Sequence, residues 1–144
     1  MKKINEIIAY QNKDIIDRYN KDYPNNKISA EEALVGVIQY LWLSQQHQID
    51  KKNQPNNNEL NFVCGVYPEM QEIDDMWHTF ILFTKEYAEF CQKYFGEFMH
   101  HAPNTHVEKT DLKNFEIEFT RYLNYIYGRL GEETVKRWFS DLMA

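Results

Sequence analysis

Asp74, His78, Cys91, His100 and His101 are the side chains of this chain whose types and spacing can do chemistry. They fall in residues 74–103, which hold three of the five histidines, one of the two cysteines and one of the three tryptophans. Carboxylate, imidazole and thiolate are metal ligands, and each can carry a proton. Asp74 and His78 are four residues apart, which places them on one face of a helix. There the carboxylate can share a metal with the imidazole, or it can accept a ring N–H and fix the tautomer. The plain alternative is a salt-bridged or capping pair on the surface.

Cys91 lies thirteen positions beyond His78, about 220° around an unbroken helix. The two can share a site only if the chain breaks between them. Thr84 is the natural break, as an N-cap ahead of Lys85, Glu86 and Tyr87. An opposing pattern is present: Trp77, Phe80, Phe83, Tyr87, Phe90 and Tyr94 keep a three-or-four spacing straight through Thr84. That stripe reads as the core face of one long helix. We expect two helices that meet at a bend. Gly96 should end the second, Phe98 should fold back on the core, and His100 and His101 should follow in a turn before Pro103. Adjacent side chains point apart, so one imidazole of the two is expected to ligate, and the turn favours His100.

Asp74, His78, Cys91 and His100, with His101 as its alternative, form a set that suits zinc, with iron or copper also compatible. The spacing matches no paired Cys-x-x-Cys signature. The competing reading is a buried polar network in which His78 and Cys91 satisfy neighbours. Cys91 paired with His78 or His100 could act as nucleophile and base. No oxyanion-hole signature or Gly-rich turn accompanies the cysteine, so no catalytic residue is assigned. Cys64 sits in an apolar stretch and reads as inert packing. His47 and His106 read as solvated residues at polar helix ends.

The elements that must position these groups are helical. Ile4, Ile7, Ile8, Ile15, Ile16 and Tyr19 predict one amphipathic helix ending before Pro24. Ser29 with Glu32 is a capping-box pattern that should start a second. Residues 33–43 are apolar nearly all round, which marks a buried helix, with a strand as the alternative. Gly36 would allow a close helix crossing there. Residues 48–61, rich in Asn, Lys and Gln around Pro55, read as a long loop. Leu60 to Tyr67 should be extended and lead to Pro68, which suits the first turn of a helix. Leu112, Phe115, Phe119, Tyr122, Leu123, Ile126 and Leu130 predict a helix capped by Thr110 or Asp111 and ended by Gly131. Val135, Trp138, Phe139 and Leu142 mark a short terminal helix. The expected fold is all-α, a single compact domain over 1–144 with five or six helices.

At 144 residues, 43% apolar and 15% aromatic, the chain can build a substantial core. Its formal net charge is −6 and its basic residues are scattered, which argues against nucleic acid and membrane surfaces as partners. Two cysteines make no disulfide framework. Lys2 and Lys3 have no apolar run behind them, so no signal peptide is expected, and the cytosol is the expected location.

The run Asp74-x-x-Trp77-His78, Ile81-Leu82-x-Thr84-x-x-Tyr87, Cys91, Phe95-Gly96 and His100-His101-x-Pro103 resembles the glycine-rich domain-containing protein-like family. That family is a domain of unknown function in bacteria and plants. Leu41-Trp42-Leu43, Tyr127-Gly128 and Trp138 fall where it has comparable elements. Without a Gly-rich tail, the chain is similar to the amino-terminal domain of the plant members. Relatives carry His-x-His after the Trp, and Phe80 takes the second position here, which implies one ligand fewer. The resemblance implies a fold more than a function. Two functional expectations follow for the chain as a whole: a His/Cys metal or polar centre, or an interaction module for a protein partner whose His/Cys groups are structural.

Overall fold

The structure is a computed structural model that describes residues 2–101 and 112–139. Pro103, His106, the Thr110 or Asp111 cap and Leu142 lie outside the described residues. Among the described residues there are seven α-helices and no strand. None of these helices is long and apolar enough to cross a membrane.

The expected first helix is two. α1 spans Ile4–Ile7 and α2 spans Lys13–Asp22. Asn12 separates them, because its side chain accepts from the Asp14 and Ile15 N–H groups and starts α2 anew. The intervening Tyr10 ring packs against Phe80 and Phe90, with centroids 5.7 and 4.8 Å away.

α3 spans Ala30–Asn53. Ser29 Oγ accepts from the Glu32 N–H at 3.1 Å, as the capping pattern predicts. The expected loop over 48–61 is not found. α3 takes in its first half, Gln54 to Asn57 form a turn, and a short 3-10 turn follows at Asn58–Leu60. Gln and Lys are good helix formers, and Lys51 and Lys52 lie in the last turn, where cations favour the helix dipole. A core-facing row of Leu43, His47 and Asp50 also holds this part of α3.

Residues 61–67 form no strand. Pro68 opens a 3-10 turn over Pro68–Met70, which feeds α4, Gln71–Leu82. α5 spans Thr84–Phe95. The bend between them is real and sits at Phe83 (φ −88°, ψ 69°), so Thr84 is the first helical residue of α5 rather than its cap. Gly96 ends α5 in the left-handed region at φ 74°. α6 spans Leu112–Leu130, and Gly131, at φ 94°, separates it from α7, Glu132–Trp138. The first turns of α6 depart from the expected core stripe, since Leu112 and Phe115 are exposed and burial begins at Tyr122.

Contacts gather the chain into two compact units. The first runs to Trp42 and resumes over Val66–Met99. There α2 packs on α4 and α4 on α5. Gly36 permits close approach inside this unit, because a Cβ there would meet Ile73 Cγ1 at 3.0 Å. The second comprises Leu43–Gly65 and the described residues from His100 onward. There α6 packs on α7 and on the Asn58–Leu60 turn.

Candidate functional site

α4 positions the first pair of candidate residues. Its apolar residues Ile73, Met76, Trp77 and Phe80 recur at helical spacing and are buried. Asp74 and His78 share the adjoining strip, with side chains 18% and 53% exposed. Asp74 Oδ2 lies 3.4 Å from His78 Nδ1, and the Asp74 carbonyl oxygen lies 2.8 Å from the same nitrogen. A carbonyl can only accept, so Nδ1 carries the proton of the neutral ring. Nε2 is left as the lone-pair nitrogen, the state in which an imidazole ligates a metal.

Cys91 is on α5 and fully buried. Burial pushes its thiol up, against the Met99 backbone and the Tyr87 hydroxyl, which favour the thiolate. A protonated, enclosed thiol is a poor nucleophile. Among the described residues, Cys91 joins no cluster of metal-ligating side chains. Cys64 is also pushed up by burial, to about 12, which agrees with inert packing. His100 is exposed and His101 half-buried, and both belong to the second unit.

Trp77, Phe80, Tyr87 and Phe90 of the aromatic stripe are core, while Phe83 and Tyr94 are half-buried, and two of its members do more. Tyr87 is fully buried on α5, and its hydroxyl accepts from Trp77 Nε1 at 3.0 Å and donates to the Met99 carbonyl at 2.5 Å. Burial drives the Tyr87 phenol pKa well above its ordinary value. Removing that oxygen would orphan two buried polar groups, at about 1–3 kcal/mol each. Residue spacing gave no sign of this bridge. The available signal was chemical, because buried Trp and Tyr tips need partners. Phe98 stacks edge-on against Tyr87 at 5.2 Å, which agrees with the expected fold-back, although it stays 44% exposed.

Residues 64–127 match the family described as UCP032817-like. The match takes in α4 and α5 and runs into α6, less than half of the chain in all. It overturns the glycine-rich resemblance. The segment that carried that resemblance lies inside the UCP032817-like match, and nothing points to a glycine-rich family. The idea that Phe80 replaces a lost ligand falls with it. No curated protein and no solved structure matches the chain.

The second unit contains a polar group that the sequence reading missed. His47 is not solvated: it is 5% exposed, its Nε2 donates to the Leu60 carbonyl at 2.9 Å, and its ring stacks on Phe62 at 4.2 Å. One turn on, Asp50 is 6% exposed and accepts from Tyr125 at 2.6 Å, Arg129 at 2.5 Å and Gln46 at 2.8 Å. Burial alone would raise the Asp50 carboxyl, but these three donors outweigh it and hold the pKa below the ordinary carboxylate value. The signal was available in the Leu43, His47, Asp50 spacing of four and three. This network is satisfied, and it ties the end of α3 to α6.

Proposed function

We propose that the chain is a small helical metal-binding protein in which Asp74 and His78 supply ligands to a divalent transition metal, zinc by preference. A carboxylate and an imidazole are ligands of the kind zinc takes. A single observation carries the reading: the 2.8 Å bond from His78 Nδ1 to the Asp74 carbonyl sets the ligand-competent tautomer on a half-exposed side chain. Cys91 is left out as a buried, protonated thiol. No reaction is assigned to the site.

The test is elemental analysis of purified protein, followed by calorimetric titration of metal-stripped protein with zinc. One zinc per chain, with binding abolished in His78→Ala, is the expected result. No stoichiometric zinc, iron or copper, together with no saturable zinc binding, sinks the proposal.

The second reading is an interaction module with no chemistry. Leu82 favours it, as a large apolar side chain left 59% exposed at the end of α4. If His78→Ala leaves function and partner binding intact, this reading replaces the first.

A further inference from the structure

The link between α1 and α2 and the start of α3 line a cavity of about 220 Å³, wholly within the first compact unit. Its apolar lining is aliphatic: Leu34 is buried, while Ile8, Ile16 and Val35 are half-buried. These half-covered branched side chains share one concavity rather than scattering singly over the surface. Tyr10, packed against Phe80 and Phe90, adds a held aromatic wall. Pockets for drug-sized ligands run from about 300 Å³ upward, so this cavity suits a body of a few carbons.

The rim decides the charge of that ligand. Lys13 and Glu31 both line it. Asp17 already holds the Lys13 ammonium at 2.6 Å. The α2 N-terminus offers an anion little, because the Asn12 side chain accepts from the Asp14 and Ile15 N–H groups that would otherwise hold it. Glu31, exposed in the first turn of α3, is left as the charge a ligand meets. Asp14 and Glu32, the next residues after Lys13 and Glu31, deepen the negative potential there.

We propose that this cavity binds a small primary alkylammonium, with the alkyl chain among Ile8, Ile16, Leu34 and Val35 and the nitrogen at Glu31. The site uses neither Asp74 nor His78, so it does not rest on the metal reading.

The experiment follows the methyl resonances of Ile8, Ile16, Leu34 and Val35 while isopentylammonium is added. Isopentanol and isovalerate, which carry the same branched tail with no charge and with a negative charge, are titrated in parallel. The expected result is a saturable shift of those methyls by isopentylammonium, with a dissociation constant on the order of 1 mM. Isopentanol should bind about 2- to 5-fold more weakly, the scale of one exposed ion pair, and isovalerate more weakly still. In Glu31→Gln the ammonium should lose that same factor while isopentanol is unaffected. Val35→Phe, which fills the cavity, should abolish binding of both. Should Val35→Phe not fold, the three ligands and Glu31→Gln decide, since Glu31 is exposed and its substitution leaves the core alone. No saturable shift of these methyls overturns the inference, as does isovalerate binding as tightly as the ammonium. An unchanged ammonium affinity in Glu31→Gln overturns it too.

Discussion

His47 is 5% exposed against Phe62, and its protonation should follow those surroundings. Burial lowers the His47 pKa, outweighing the Leu60 carbonyl and Asp50, which favour the cation, while Lys51 opposes it. An unfolded histidine takes its proton near about pH 6.5, but folded His47 does so only at lower pH. The unfolded chain therefore binds more protons in that window. The His47 contribution is fully present above about pH 6.5 and is lost as pH falls toward the folded value. Melting temperature measured through that window should decline below about pH 6.5. In His47→Gln the neutral-pH melting temperature should be lower and the decline mostly gone. A decline of the same size in both proteins would mean that other groups drive it. Asp50 acts in a separate, more acidic window, because its carboxyl is held low and loses its donors only when protonated. His47 was misread from sequence because its neighbours Gln45, Gln46 and Gln48 look like a solvated helix end. Its partner carbonyl, at Leu60, lies thirteen residues away and leaves no mark on local composition.

At the scale of elements, local chemistry was legible where one residue decides the geometry. The Ser29 cap, the left-handed Gly96 and the stop at Gly131 are such cases. The Asn-rich segment was misread because helix formation there depends on packing of Leu43, His47 and Asp50, which composition does not report. The α1–α2 break was missed because isoleucines on both sides kept a helical period while Asn12 competed for the backbone. Two glycines now make opposite predictions. Gly128 lies in α6, and a Cβ there would meet nothing within 4 Å. Gly128→Ala should stabilise the protein by about 0.5–1 kcal/mol through helix propensity alone. At Gly36 the same gain is set against a Cβ 3.0 Å from Ile73 Cγ1, and forcing that contact costs about 1–3 kcal/mol. Gly36→Ala should therefore destabilise, and urea denaturation of the two variants should move the midpoint in opposite directions. A stabilised Gly36→Ala would show that Ile73 can shift aside, and that α3 and α4 are not held at the closest approach their side chains allow.

At the scale of the whole molecule, the all-helical fold was legible because helical spacing runs through nearly every apolar segment. The division into two compact units was not, since α3 is a single helix with residues in both. The metal reading has a consequence at this scale that no single side chain reports. A ligand that binds only the folded chain raises its stability by mass action, by about 2.7 kcal/mol at a free concentration a hundredfold above the dissociation constant. For a chain of this size that corresponds to a rise in melting temperature on the order of 5–10 °C. Zinc added to metal-stripped protein should produce that rise, and a chelator should reverse it. Magnesium at the same concentration should not, since it favours an all-oxygen octahedral shell over imidazole. The rise should vanish in His78→Ala, because that variant lacks the imidazole whose tautomer is set by the Asp74 carbonyl. An equal rise in His78→Ala would place the bound metal on other residues. No rise in the wild type, at concentrations that saturate ordinary zinc proteins, would remove the metal and leave Asp74 and His78 as a hydrogen-bonded pair on the surface of α4.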